Sequence, residues 1–191
     1  MEEVKNSLFE DLEIDNLNER IALKAMVVGE TRYLKDLRIN IKNALKTDYM
    51  SEKEALLMAF AIAINEKNEI LADIFGRKAE KAGAEEAEIA EAAACSSLLA
   101  SNNVLYRFRH FADKDEYENE PARIKMNIMM KPVIGKEFFE LISLAVSAVN
   151  GCERCVKAHE DSLLKMGSNT KRIFESIRLA SVITSLGKVI Y

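Results

Sequence analysis

Cys152 and Cys155 stand three residues apart in the segment Asn150-Gly151-Cys152-Glu153-Arg154-Cys155-Val156-Lys157-Ala158-His159-Glu160. The chain has only three cysteines and two histidines, so this segment gathers most of its thiol and imidazole chemistry. Two thiols at that spacing can close a small disulfide, and a nearby imidazole can carry protons for them. The chemistry suggested is thiol–disulfide redox. On a helix opening near Cys152, positions 152, 155 and 159 lie on one face. Val156, Leu163 and Met166 share it, so the thiols should border the core. The helix N-terminus and the fixed charge of Arg154 both favour thiolate, the reactive form. Glu140 lies upstream in Phe138-Phe139-Glu140-Leu141-Ile142. A tight Asn150-Gly151 turn would fold the two helices antiparallel, which can bring that carboxylate beside His159 to fix its tautomer and raise its basicity.

The elements that must position these groups read as helices. Ser51-Glu52-Lys53-Glu54 is a capping box that opens the apolar run from Leu56 to Ile64. A second helix should run from about Asn68 to Gly83, where glycine supplies a left-handed stop, and a third from about Glu85 to Asn103. Both prolines, Pro121 and Pro132, fall in a connector of about residues 110–135. Beyond it the plan repeats, with helices over about 135–149, 152–166 and 170–189. Gly83 and Gly167 lie 84 residues apart, and that offset also sets Glu91 on Glu175, Ser97 on Ser181, Asn68 on Cys152, Leu71 on Cys155 and Phe75 on His159. The fold class expected is all-α, in one domain over residues 1–191. Its two similar halves, about 51–106 and 135–191, read as an internal duplication in which only the second copy carries the chemistry. Period-2 alternation of the strand type is absent.

Composition bounds the setting. A chain of 191 residues, 49% hydrophobic and 30% charged with net charge −4, suits one soluble domain with a real core. No basic patch with interleaved aromatics points to nucleic acid. The segment MEEVKNSLFEDLEID is acidic and lacks an apolar stretch of signal-peptide length, and no apolar run is long enough to cross a bilayer. An odd cysteine count argues against a secreted disulfide scaffold, so the expected location is a reducing cytoplasm.

The same residue types have other uses. Two cysteines and a histidine could be three zinc ligands, but a structural site needs a fourth, and His110 is the only other imidazole. Covalent haem would need histidine at position 156, which is Val156. Glu140 could be a plain solvated helix residue. Cys95 reads as a small core residue, His110 as a surface or interface residue, and Met126, Met129 and Met130 as core filler rather than a metal site.

The run Arg123 to Ile128, Pro132, Glu140-Leu141, Leu144 through Cys152, Cys155 and Ala158-His159-Glu160 resembles the alkyl hydroperoxidase D family, within the carboxymuconolactone decarboxylase-like superfamily. Leu71-Ala72-Asp73-Ile74 and Asn102-Asn103-Val104-Leu105-Tyr106-Arg107 are similar to it too, so the likeness spans about residues 32–189. The first ~30 residues read as an extra N-terminal helix. The resemblance implies a thiol-dependent alkyl hydroperoxide reductase with no bound cofactor or metal. In it Cys155 would take the peroxide oxygen as a sulfenic acid, Cys152 would resolve it as proton donor and second thiol, and His159, oriented by Glu140, would move the protons. The resulting Cys152–Cys155 disulfide would be recharged by a lipoyl dithiol of a 2-oxoacid dehydrogenase complex. The same likeness implies a peroxiredoxin partner and a homo-oligomer, trimer or hexamer. Familiar members carry a second histidine where this chain has Arg154, so any thiolate stabilisation there is electrostatic rather than proton transfer. Two rival functions share the fold: a disulfide reductant or adaptor for a separate peroxiredoxin, and a carboxymuconolactone decarboxylase-type lyase, against which the cysteine pair speaks.

Overall fold

Ser51 accepts the Glu54 N–H while the Glu54 carboxylate accepts the Ser51 N–H, and this reciprocal cap starts the first central helix. In the computed structural model, which describes residues 1–14 and 20–191, ten α-helices and no strand occur among the described residues. They are α1 (Glu2–Leu12), α2 (Ile21–Val28), α3 (Tyr33–Leu45), α4 (Glu52–Asn65), α5 (Glu69–Lys81), α6 (Glu86–Ala112), α7 (Asp115–Asn119), α8 (Lys136–Val149), α9 (Glu153–Lys165) and α10 (Thr170–Gly187).

Two helices are apolar nearly all round and are therefore buried. Every residue from Ala55 to Ala63 in α4 is buried, as is every residue from Phe138 to Ser147 in α8. These two touch at the centre. α5 packs on α4 and α9 on α8, while α6 and α10 each lie against both central helices. The halves α4–α5–α6 and α8–α9–α10 thus share an element order and a mode of packing. Their second turns also agree, with Gly83 at φ 89° and Gly167 at φ 84°, a conformation that costs glycine nothing. α3 covers α10, and α1 and α2 cover α3.

Three expectations need correction. The N-terminal segment is two helices, α1 and α2, with residues 15–19 outside the described part. The third helix does not stop at Asn103 but runs to Ala112, because Asn102, Asn103 and Arg109 are buried and bonded rather than helix-ending. His110 therefore sits on α6, and the connector holds the short α7 and a 3-10 turn at Asn127–Met129. Met130, read as core filler, is 78% exposed, since it follows that turn on its outer side. No helix among the described residues is long and apolar enough to cross a membrane.

Candidate active site

α8 ends in a Schellman turn. The Gly151 N–H returns to the Ala148 carbonyl at 3.1 Å and the Cys152 N–H to the Ser147 carbonyl at 3.0 Å. Gly151 takes φ 68° there, and Cys152 follows at once as the N-cap of α9. One turn therefore ends one helix, reverses the chain and sets the first sulfur at the positive end of the next helix. Cys152 and Cys155 are joined as a disulfide, with Cα atoms 5.3 Å apart. The Cys155 N–H points at the Cys152 sulfur at 3.4 Å. The two differ in access: Cys152 is fully buried, and Cys155 keeps 6% exposure.

His159 lies one turn beyond Cys155 on α9, and its Nδ1 is 2.7 Å from Oε2 of Glu140. Glu140 is buried in the middle of the apolar run of α8. With the carboxylate ionised, Nδ1–H donates to it and Nε2 is left as the free lone pair. The consecutive helices α8 and α9 are thus joined as the antiparallel hairpin requires. Leu163 on the same face of α9 is buried and Val156 half-buried, but Met166 is exposed, so the core border ends one turn earlier than its spacing suggests.

Arg154 has a definite partner. Its guanidinium makes a two-pronged pair with Glu118 of α7, both N–H···O distances being 2.5 Å, and lies over the Tyr106 ring at 5.6 Å. The Arg154 guanidinium holds the Glu118 carboxyl below the usual range, so whatever positive charge it offers the thiols is shared with a carboxylate. His110 on α6 reaches Glu153 at 3.4 Å, at the surface. Cys95 is a core residue whose sulfur is 3.5 Å from the Ser143 hydroxyl, and burial pushes its thiol up to about 12, far from reactive. Ser143 is one turn from Glu140, so Cys95 stands closer to the site than its place in the sequence suggests. Among the described residues no three His, Cys, Asp or Glu side chains are grouped as metal ligands.

Reading the sequence alone missed the polar groups behind the turn. Asn65 of α4, Asn103 and Arg107 of α6 and Ser147 of α8 all bond to Asn150 or to one another. The available signal was a pair of amides, Asn102-Asn103, inside an Ala- and Leu-rich helix, where amides are poor helix formers.

Residues 116–189 match the model of the carboxymuconolactone decarboxylase family. Proteins named alkyl hydroperoxide reductase AhpD are similar over most of the chain. That of Coxiella burnetii (strain RSA 493 / Nine Mile phase I) is 38% identical over 160 residues, covering 82% of this chain and 90% of the relative. That of Anaeromyxobacter sp. (strain K) is 37% identical over 150 residues, covering 78% and 80%. That of Brucella canis is 39% identical over 157 residues, covering 80% and 87%.

Proposed function

Since this chain belongs to the alkyl hydroperoxide reductase AhpD family, we propose that it reduces alkyl hydroperoxides through its own cysteine pair. The observation that carries the reading is the Cys152–Cys155 disulfide with the Glu140–His159 pair one helical turn away. In the reduced enzyme the Cys155 thiolate attacks a peroxide oxygen. The O–O bond breaks, the alcohol leaves with a proton, and Cys155 becomes a sulfenic acid. Cys152 then displaces the hydroxyl as water and the S–S bond forms, for two electrons in all. His159, held by Glu140, takes a proton from one thiol and returns one to the leaving oxygen. The residual exposure of Cys155 and the burial of Cys152 support assigning first attack to Cys155. Arg154 adds positive charge beside the pair, moderated by Glu118.

The disulfide is recharged by a dithiol, for which a lipoyl domain of a 2-oxoacid dehydrogenase complex in the cytoplasm is the proposed donor. The reduced Cys152/Cys155 pair can also pass its two electrons and two protons to the disulfide of a peroxiredoxin, closing Cys152–Cys155 again. A homo-oligomer, trimer or hexamer, agrees with the exposed row Val104, Phe108 and Phe111 on α6, an apolar surface of the kind that partners cover. The name of the matching family model supplies a second reading, a lactone decarboxylase, which has no use for the cysteine pair.

The test begins with the oxidised protein mixed with dihydrolipoamide, thioredoxin or glutathione, following which one reduces Cys152–Cys155. Peroxide consumption is then measured with and without a peroxiredoxin. Cys155→Ser should abolish consumption, while Cys152→Ser should give one sulfenic acid, captured by a dimedone-type label, and no turnover. Labelling of Cys152 in Cys155→Ser would invert the two roles. Turnover of a carboxymuconolactone with none of a peroxide would replace the reading by the lyase.

A further inference from the structure

The turn that carries Cys152 is gripped from behind by a lattice of side-chain amides that no step of the proposed reaction uses. Asn150 closes α8. Its Oδ1 accepts from Asn65 Nδ2 at 3.0 Å, and its own Nδ2 donates to Asn65 Oδ1 at 3.1 Å and to Asn103 Oδ1 at 2.9 Å. Asn103 donates in turn to the Ser147 hydroxyl at 2.9 Å, and Arg107 donates to the Asn150 carbonyl. Three helices, α4, α6 and α8, therefore converge on one turn. Asn103, only 1% exposed, links the hub of the lattice, Asn150, to Ser147. It touches both ends of the Schellman turn: Ser147, whose carbonyl receives the Cys152 N–H, and Asn150, two residues before Cys152.

A buried polar lattice is costly when partly satisfied and rigidifying when complete. Here both side-chain groups of Asn103 and of Asn150 find partners, so the lattice fixes one orientation of the turn. Cys152 is the N-cap rather than a residue inside α9, so the turn sets the backbone that carries its sulfur, while its carbonyl and sulfur accept the Val156 and Cys155 N–H groups of α9. Closing a disulfide needs the two sulfurs within bonding distance, and holding them there raises the effective concentration of one thiol at the other.

We propose that Asn103, acting through Asn150 and Ser147, is a positioning residue for the resolving thiol, setting how readily Cys152 closes on Cys155 and so the reduction equilibrium of the pair. This rests on Cys152–Cys155 being the redox couple. The exchange is balanced: a dithiol reductant gives two electrons and two protons, its own sulfurs join, and the protein S–S bond opens to two thiols.

The experiment equilibrates the full-length protein with reduced and oxidised dithiothreitol, without peroxide, and reads the fraction of Cys152–Cys155 by thiol alkylation and mass spectrometry. Asn103→Ala and Ser147→Ala should each move the exchange constant about tenfold toward the reduced pair, roughly 30 mV for a two-electron couple. After one equivalent of peroxide they should also prolong the Cys155 sulfenic acid. Asn102→Ala is the control. Asn102 is the buried neighbour on α6, but its amide donates to Met126 Sδ in the connector rather than to the turn. It should stay within about twofold of wild type, as expected for a site with no shared partners. Equal shifts in Asn102→Ala and Asn103→Ala would reduce the effect to general loosening and overturn the proposal. So would unshifted constants in Asn103→Ala and Ser147→Ala that remain folded by circular dichroism. Ser147→Ala removes a single hydroxyl and carries the test if Asn103→Ala does not fold. A wild-type pair that never exchanges with dithiothreitol would overturn the redox reading itself, and this proposal with it.

Discussion

The turn from α4 to α5 and the turn from α8 to α9 have nearly the same backbone and opposite uses. Asn68 caps α5 at φ −97°, ψ 91°, and Cys152 caps α9 at φ −96°, ψ 89°. Each side chain accepts the N–H three residues on, from Leu71 at 3.0 Å and from Cys155 at 3.4 Å. Each follows a left-handed residue, Lys67 at φ 56° and Gly151 at φ 68°. The spacing between the turns is 84 residues throughout. At that spacing Leu56 stands where Glu140 does, and Phe75, fully buried, where His159 does. In the first half the cap amide is spent on structure, since Asn68 Nδ2 donates to the Ile190 carbonyl near the chain's end. In the second half the cap atom is a sulfur. A helical hairpin of this kind thus offers a ready place for two thiols, and in the proposed reaction the Glu140 carboxylate and the His159 imidazole complete the site.

The sharpest way to break the comparison is to move the thiols. In a Cys152→Ser/Cys155→Ser background, Asn68→Cys with Leu71→Cys should close a disulfide, seen by mass spectrometry. Peroxide consumption should nonetheless remain roughly 10³-fold below wild type, for want of acid–base groups. Near-native turnover in that protein would show that the hairpin alone suffices. The converse experiment leaves the thiols and removes the relay. Glu140→Gln and His159→Gln should each slow turnover about 10²-fold at neutral pH. The double variant should cost little more than the worse single one, since groups that act as a unit are not additive; fully additive losses in steady-state rates would separate them.

The halves also differ in a pair of ions. Lys53 bonds Glu88 at 2.8 Å, and the same offset gives Glu137 and Arg172, the charges exchanged, at 2.9 Å. Arg172 is the more buried, 17% exposed against 36% for Lys53, and it also holds Glu54 at 2.6 Å. Arg172→Met should therefore cost about 3 kcal/mol, because two carboxylates lose their partner in a half-buried site. Lys53→Met should cost less, about 1 kcal/mol, because Lys53 is the more open to water and Glu88 keeps its bond from the Glu85 N–H. Urea unfolding of both checks the contrast. Burial raises the Glu54 carboxyl, but Arg172 and the Ser51 cap outweigh it and hold the group below its ordinary 4.5. A depressed folded value gives stability that is whole above that pH and lost as pH falls through the lowered value. The gap between wild type and Arg172→Met should accordingly narrow in acid.

The smallest effects belong to the left-handed residues. A Cβ at Gly151 meets nothing within 4 Å, so Gly151→Ala should cost only backbone strain, about 1 kcal/mol. Lys67→Gly should gain less than about 1 kcal/mol, because glycine's freedom in the unfolded chain offsets part of the relief. Thermal melts would show it, and a large loss in Gly151→Ala would mean that the turn answers to more than its φ angle.

Much of the site was legible because its parts are local. The one-face relation of Cys152, Cys155 and His159 follows from helical spacing, and the Asn150-Gly151 turn announces the hairpin that returns Glu140 to His159. The Ser51 cap and the two glycine stops are likewise local signals. The lattice behind the turn was not legible, because Asn65 and Asn103 lie in two different helices and Asn150 caps a third, and only packing shows that they meet. The partner of Arg154 was missed for a related reason: Glu118 lies on α7, a helix of five residues in a charged stretch with no apolar period to reveal it. The length of α6 was missed because propensity ends a helix at paired asparagines, whereas burial on α4 and α8 carries it on.

By itself the sequence determined the helical class, the repeated order of elements and the thiol–imidazole set, since each depends on contacts within about four residues along a helix. The tertiary structure decided that Cys152 is sealed while Cys155 keeps slight exposure, that Arg154 is tied to Glu118, and that Asn65 and Asn103 hold Asn150 in the turn before Cys152. Those outcomes depend on where α4, α6, α7 and α8 meet, and burial and hydrogen-bond satisfaction between distant segments are settled only when the core closes.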